Sequence, residues 1–230
     1  MATTILADHL CVGYGKRPVV EGVTLDMQPG ELLVLIGTNG SGKSTLLKTL
    51  AGLIQPVHGE LHVLGKDAGQ LPTRVAYLPQ HPVSSHTLPL QVRDMVTMGR
   101  FAHLGLFKRV GASDRAIVNT AMQRTGIEAQ ASQPIRDLSG GQQQRTHLAQ
   151  VLARQAEILL LDEPTAGLDI NGRKLVASLI AAERARGVTV VMATHELKDA
   201  EDATSVMLLA QRVVSVGPPN IALRDEYLRE

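Results

Sequence analysis

The order of apolar and polar positions divides the chain into short apolar runs and longer segments with helical spacing. Apolar runs predict buried strands at 31–36, 157–161 and 188–194, and further strands are predicted at 59–65, between turns, and at 75–79, ending at a proline. Helical spacing predicts helices over 44–51, 113–126 and 172–186, with Ser113 as a plausible N-cap. Buried strands that alternate with helices indicate a mainly parallel α/β sheet.

The character of the chain changes between residues 81 and 142, where long apolar runs are absent and helical spacing dominates. We therefore predict a single α/β domain over residues 1–230. Its core covers about 1–80 and 143–217, and a helical subdomain is inserted over about 81–142. Residues 5–36 are punctuated by glycine turns, and we expect them to form an N-terminal antiparallel β subdomain.

Composition limits the classes of function. The chain has 230 residues and a formal net charge of +1, so it lacks the excess of basic residues that marks a nucleic-acid partner. Aromatic residues make up 2% of the chain, which predicts an aliphatic core. The single cysteine, Cys11, lies in a predicted strand and cannot close an intramolecular disulfide, so we expect a buried thiol in a reduced, cytosolic protein.

Membrane and secretion signals are not evident in the sequence. The apolar runs are far shorter than the ~18 residues that a transmembrane helix requires. The N-terminus, Met1 to Asp8, has neither a basic start nor a long apolar stretch, so we expect no signal peptide.

A glycine-rich turn between a predicted strand and helix fits the phosphate-loop pattern G-x-x-x-x-G-K-[ST]. Its residues are Gly37, Thr38, Asn39, Gly40, Ser41, Gly42, Lys43 and Ser44, followed by Thr45. Such a turn points successive backbone N–H groups into one concavity at a helix N-terminus, where a polyphosphate is stabilised. Lys43 would meet the β- and γ-phosphates and the Ser44 hydroxyl would ligate Mg²⁺. Alone, the loop indicates a nucleotide.

A second small-residue turn opens another helix about a hundred residues later. It consists of Leu138, Ser139, Gly140, Gly141 and Gln142. Downstream, Asp162 and Glu163 end an apolar strand, which places two carboxylates at the sheet edge where α/β folds bind ligands. Asp162 would hold Mg²⁺ and Glu163 would accept a proton from the attacking water. The alternative is an acidic pair that caps a helix before Pro164.

These three motifs, in this order over about residues 5–217, resemble the nucleotide-binding subunit of ABC transporters. The resemblance implies a P-loop NTPase core that uses ATP and Mg²⁺. It implies that Gln80 reaches Mg²⁺ and the water, and that His195 contacts the γ-phosphate and Glu163. It also implies that Tyr14 stacks on adenine. Viewed alone, Gln80 and His195 would more often be a solvated loop residue and a structural histidine.

The resemblance further implies a head-to-tail homodimer. Ser139, Gly140, Gly141 and Gln142 of one subunit would face the ATP held by the phosphate loop of the other. Asp169, in the loop after Glu163, would cross the dimer interface. Neither anion-facing turn is a complete site alone, which explains why one chain carries both.

Two other classes compete with a transporter motor. One is an ABC protein that acts in DNA maintenance, translation or cluster assembly, and the other is a P-loop kinase. The first class usually carries coiled coils, paired cassettes or basic faces that are not visible here. A kinase leaves the Leu138–Gln142 turn and the Asp162–Glu163 pair unexplained.

The substrate is indicated only by segment 92–105, whose Gly99-Arg100-Phe101 resembles importer subunits for zinc, manganese and iron chelates. Together with Thr87-Leu88-Pro89-Leu90, it favours zinc or manganese, with iron-siderophore or haem import as the alternative. Phe101 and Phe107 could anchor a membrane helix, although core packing would explain them equally. The implied partners are a separate permease and an extracytoplasmic binding protein, with this subunit in the cytoplasm at the inner face of the membrane.

Overall fold

The computed structural model describes residues 3–80, 90–104 and 108–224. Phe107 and the Thr87-Leu88-Pro89 part of the predicted pore-facing segment lie outside these residues. Among the helices described, none is both long enough and apolar enough to cross a bilayer.

The first of the two sheets in the described part of the chain is antiparallel, as expected for the N-terminal region. Its strands are β1 (Ile5–Tyr14), β2 (Arg17–Met27), β4 (His58–Val63) and β5 (Lys66–Asp67), in the order β2-β1-β4-β5. Cys11 is buried in β1, as predicted.

The second sheet is mainly parallel and has the order β10-β9-β3-β8-β7-β6. Its strands are β3 (Leu32–Ile36), β6 (Val75–Leu78), β7 (Ile158–Asp162), β8 (Thr189–Thr194), β9 (Ser205–Leu209) and β10 (Val213–Gly217). Only β10 pairs antiparallel, with β9. The order places β3, which precedes the phosphate loop, two strands away from β7, which ends in Asp162.

Both faces of the second sheet are covered, which is why β3 and β7 are apolar at every position before their last residue and β8 is apolar between its two terminal threonines. Alternate residues of β3 face opposite ways: Leu33 and Leu35 join the core shared with α1 (Lys43–Leu50) and the antiparallel sheet. Val34 and Ile36 join the core shared with the remaining helices. The period of two along each strand thus divides one apolar run between two cores.

Helices dominate the segment predicted as an insert. They are α2 (Val92–Met98), α3 (Phe101–Leu104), α4 (Ala112–Arg124) and α5 (Gly140–Ala153), with short 3-10 turns at Glu128–Gln130 and Ile135–Asp137. Helix α5 packs against α2, α4 and β6, so it joins the helical segment to the core sheet. It also runs through residue 142, where the sequence placed the end of the insert. The division into core and insert stays a prediction.

Helix α4 begins earlier than the sequence indicated, and Ser113 is not its N-cap. Gly111 occupies that position, and Asp114 accepts a hydrogen bond from the Gly111 N–H at 3.1 Å. Asp114 also pairs with the buried Arg100 at 3.0 Å, so a tertiary contact determines where the helix starts. A serine two residues further on lies inside the first turn.

The remaining helices complete the core. Helix α6 (Ile170–Ala185) starts where Asp169 accepts a hydrogen bond from the Gly172 N–H at 2.7 Å. A 3-10 helix at Leu197–Ala200 follows β8, and α7 (Pro219–Ala222) follows β10.

Arg100 and Phe101 have opposite environments. Arg100 points inward, where it donates to the Ala153 carbonyl at 3.0 Å as well as to Asp114. Phe101 is 52% exposed on α3 and is therefore not a core residue. Phe101, but not Arg100, is available to contact a partner.

Candidate functional site

The carboxyl ends of four parallel strands gather the predicted site residues at one edge of the second sheet. The phosphate loop follows β3, Gln80 follows β6, Glu163 follows β7 and His195 follows β8. A cavity of about 430 Å³ opens there, within the size range of small-molecule sites. Its lining residues are Tyr14, Val19, Thr38, Asn39, Gly40, Ser41, Gly42, Lys43, Ser44, Thr45, Gln80, Asp162 and Glu163.

Two glycines of the phosphate loop are required by close contacts. A Cβ at Gly37 would lie 2.3 Å from the Leu209 carbonyl oxygen. Gly42 has φ 104°, in the left-handed region, and a Cβ there would lie 2.2 Å from Val20. Gly42 is also the N-cap of α1, which begins at Lys43. The loop therefore presents the backbone N–H groups at the start of α1 to the cavity.

Lys43 is a buried cation held within the loop. Its Nζ donates to the Gly37 carbonyl at 2.6 Å and to the Thr38 carbonyl at 3.2 Å. Nζ also lies 4.0 Å from Glu163 Oε1. Burial lowers the pKa of Lys43, and the charges of Glu163 and Asp162 oppose that change. The ammonium group is thus positioned where a polyphosphate could exchange with the loop carbonyls.

The two carboxylates at the end of β7 are buried, and each has an oxygen without a hydrogen-bond partner among the described residues. Asp162 is 2% exposed and Glu163 is 3% exposed. The unpartnered atoms are Asp162 Oδ1 and Glu163 Oε1. Desolvated carboxylate oxygens without donors are costly, so their presence indicates that the site is built for a cation or a water.

Glu163 has an unusual backbone conformation, with φ 52°. A non-glycine residue in the left-handed region costs free energy and is found preferentially at functional sites. The turn directs its side chain toward β8, where Glu163 Oε2 lies 2.8 Å from His195 Nδ1. The structure therefore brings Glu163 and His195 together, although His195 does not line the cavity.

Tyr14 and Gln80 lie at the rim of the cavity. Tyr14 ends β1, is 52% exposed, and is thus accessible as a flat surface beside the phosphate loop. Gln80 lies two residues after β6 and is exposed. Both positions are compatible with the contacts that the resemblance implies, adenine for Tyr14 and Mg²⁺ for Gln80.

The predicted partner-site residues lie away from this cavity. Ser139 caps α5: its Oγ accepts from the Gln142 N–H at 3.3 Å, and its own N–H donates to Gln142 Oε1 at 2.9 Å. Asp169 is likewise the N-cap of α6. A Cβ at Gly140 would meet no atom within 4 Å, so the backbone there is open. None of Ser139, Gly140, Gly141, Gln142 and Asp169 lines the cavity of its own chain.

Sequence reasoning missed Tyr77 and Val19. The Tyr77 hydroxyl donates to Asp162 Oδ2 at 3.4 Å, and burial with the nearby Asp162 charge raises the pKa of Tyr77. A tyrosine in an apolar strand that pairs with the aspartate strand was the available signal. Val19 lines the cavity without any sequence signal of its own.

The sequence is similar to known proteins over most of its length. Residues 20–166 match the family model described as ABC transporter. The manganese transport system ATP-binding protein MntB of Bacillus subtilis (strain 168) is 37% identical over 224 residues, covering 97% of this chain and 90% of that protein. The zinc transport system ATP-binding protein TroB of Treponema pallidum (strain Nichols) is 35% identical over 229 residues, covering 99% of this chain and 86% of that protein.

A solved structure extends the match to the whole fold. An ABC transporter described as of the metal-chelate type, in an inward-facing conformation, aligns with a TM-score of 0.85 and 29% identity. The alignment covers 99% of this chain and 88% of that one. The chain belongs to the ABC transporter family. It is an ATP-binding ATPase subunit of such a transporter, which works with a membrane permease.

Proposed function

We propose that this chain hydrolyses ATP to drive the import of manganese or zinc through a separate permease. The observation that supports the metal most strongly is the similarity to manganese and zinc ATP-binding subunits over nearly the whole chain. The cavity lined by the buried Lys43, Asp162 and Glu163 would bind and hydrolyse the ATP that drives transport.

ATP binding would use the geometry of the phosphate loop. The backbone N–H groups at Gly40, Gly42 and Lys43 would meet phosphate oxygens at the N-terminus of α1, where the helix dipole also favours negative charge. The Lys43 ammonium would exchange its bonds with the Gly37 and Thr38 carbonyls for bonds to the β- and γ-phosphates. Tyr14 would stack on the adenine ring.

Hydrolysis would use Glu163 and His195. The Glu163 carboxylate accepts the proton of the attacking water. His195 Nδ1 is engaged with Glu163 Oε2, which leaves Nε2 for the γ-phosphate. The histidine therefore orients the base and senses the phosphate at the same time.

The residues of the cavity also fit Mg²⁺. This ion prefers oxygen ligands and retains several waters. Asp162 Oδ1 has no partner among the described residues, and the Ser44 hydroxyl and Gln80 amide lie on the same cavity. Ser44, Gln80 and Asp162 would hold the ion, which neutralises phosphate charge when bound.

The partner-site residues support a homodimer. Ser139, Gly140, Gly141 and Gln142 form a helix N-terminus that does not line the chain's own cavity. In a head-to-tail dimer they would cover the ATP of the partner, and Asp169 would lie at the interface. The subunit would sit in the cytoplasm at the inner face of the membrane, with its permease and an extracytoplasmic binding protein in the same system.

The second candidate is the import of an iron chelate, such as a siderophore or haem. The similarity to a transporter of metal-chelate type supports it, at lower identity than the manganese and zinc relatives.

Uptake by cells that express this chain with its permease and binding protein tests the proposal. We expect labelled manganese or zinc to accumulate with the wild type and not with Glu163→Gln, while a ferric chelate is not taken up. Accumulation of the chelate alone would favour the second candidate. Normal ATP hydrolysis without uptake of any of these metals would contradict metal import.

A further inference from the structure

The segment that carries His195 is tied to the loop that follows Glu163. The Thr194 hydroxyl donates to Asp199 Oδ2 at 2.7 Å, and the Thr165 hydroxyl donates to the same oxygen at 3.2 Å. Thr194 immediately precedes His195, and Thr165 lies two residues after Glu163. A single carboxylate oxygen thus joins the two catalytic segments.

A second connection runs from the other side of His195. Glu196 forms an ion pair with Arg173, in the first turn of α6. Arg173 Nε also donates to the Leu168 carbonyl at 3.3 Å, in the loop that ends at Asp169. The Arg173 guanidinium holds the pKa of Glu196 below its usual value, so this pair is charged at neutral pH.

The segments on both sides of His195 are therefore anchored, whereas the described contact of its ring is the one with Glu163 Oε2. The His195 side chain is 59% exposed, so packing contributes little to its orientation. By contrast, Thr194 and Thr165 are buried, and the Thr194 hydroxyl additionally accepts from the Glu196 N–H at 3.1 Å. The position of the imidazole relative to Glu163 follows from these backbone anchors.

Neither Asp199 nor Arg173 lines the ATP cavity. We propose that Asp199 and Arg173 are positioning residues that hold His195 against Glu163 and couple it to the loop 165–169. This inference rests on the proposed roles of Glu163 and His195 in hydrolysis. Displacement of that loop, for example by a second subunit at Asp169, would be transmitted to His195 through the two connections.

Steady-state ATP hydrolysis by variants of the 230-residue chain tests this role. Asp199→Ala and Arg173→Ala should each lower kcat roughly ten- to hundredfold, because a small misplacement of a catalytic group is costly. The KM for ATP should stay near the wild-type value, since the cavity is untouched. Thr165→Val should lower kcat, because valine keeps the shape but loses the hydroxyl that donates to Asp199, whereas Thr165→Ser keeps the hydroxyl and should retain kcat near the wild-type value.

A matched control is Arg186→Ala, which removes the arginine at the C-cap of α6 that pairs with Glu183. It should retain the wild-type kcat.

The decisive measurement repeats Asp199→Ala and Arg173→Ala in a His195→Ala background. If both residues act through His195, they should cause no further loss of kcat there. A full additional loss, or a parallel rise in KM, would overturn the positioning role. Wild-type kcat in all the single variants, Thr165→Val included, would also overturn it while leaving the proposed function intact. If His195→Ala and Glu163→Gln hydrolyse ATP like the wild type, the proposed function itself fails.

Discussion

At the scale of single residues, Glu163 combines three unusual features. Its left-handed backbone, its buried Oε1 and its contact with His195 all result from the turn after β7. A residue that only capped a helix would not need a desolvated oxygen without a donor. These features support the catalytic role that we propose for Glu163 over the capping interpretation.

Glu163→Gln should retain ATP binding and lower kcat by about 10²–10⁴-fold, because an amide cannot accept the proton. Nucleotide titration and steady-state hydrolysis measure the two effects. Because ATP is then held without turnover, the variant should elute as a dimer in size exclusion with ATP and Mg²⁺. Glu157→Gln, just before the start of β7 and paired with the exposed Arg74, is the matched control and should hydrolyse normally. Wild-type turnover in Glu163→Gln would refute the assignment.

At the scale of elements, the start of α4 shows how a tertiary contact can override a local signal. The Gly111 N–H and the Arg100 guanidinium both lower the pKa of Asp114, with the backbone bond as the larger cause. A carboxyl group with a lowered folded-state pKa stabilises the fold above its unfolded pKa, which is about 3.9 for aspartate. That contribution is lost as the pH falls through the folded-state value.

Asp114→Asn should therefore lower the urea midpoint of unfolding at pH 7, and the difference from the wild type should shrink as the pH falls below about 4. Chemical denaturation at several pH values measures this. Asp94 caps α2 by accepting the Gln91 N–H at 3.1 Å, and no arginine contact is described for it. Asp94→Asn should therefore lower the urea midpoint at pH 7 by less than Asp114→Asn does. If Asp114→Asn lowers the urea midpoint equally at pH 7 and below pH 4, the charge of Asp114 is not the cause of the effect.

At the scale of the whole molecule, the predicted site residues fall into two groups, of which only one lines the cavity of its own chain. Lys43 lines the cavity at the ends of the parallel strands, and Ser139 caps α5 outside it. Helix α5 also packs against both the helical segment and β6. An assembly of two subunits would complete the site.

Ser139→Arg should abolish hydrolysis and leave ATP binding by the monomer intact, whereas Lys43→Ala should abolish binding. Equal mixing should recover about a quarter of wild-type activity, because half of the dimers are mixed and each has one complete site. Hydrolysis of the mixture and nucleotide titration of each variant provide the test. Loss of ATP binding by monomeric Ser139→Arg would contradict action on the partner's nucleotide.

Phe101 is the side chain we expect to contact the permease. It is exposed on α3, and large exposed aromatic side chains are frequent anchors of interfaces. Phe101→Asp should leave the thermal midpoint and basal ATP hydrolysis of the isolated subunit near wild type, and it should weaken co-purification with the permease. The control is Leu53→Asp, because Leu53 is 62% exposed and lies outside the predicted helical insert. This variant should co-purify with the permease normally. Normal co-purification of Phe101→Asp with the permease would contradict the proposed contact.

Most strands and the phosphate loop could be predicted because their signals are local. The apolar runs at 31–36, 157–161 and 188–194 became β3, β7 and β8 with shifts of a residue, since each is buried on both faces. The start of α4 and the inward orientation of Arg100 could not be predicted. Both depend on an ion pair between residues that only the packing of α3, α4 and α5 brings together.

The sequence by itself determined the local chemistry: a glycine loop before a helix, carboxylates at a strand end, and a small-residue turn that opens a helix near Ser139. These features need only neighbouring residues and their backbone preferences. Only the tertiary structure decided which of them meet. Because β8 lies between β3 and β7, the ends of three strands that are distant in sequence converge. That order brings Lys43, Glu163 and His195 together and leaves Ser139 and Asp169 outside the cavity of their own chain.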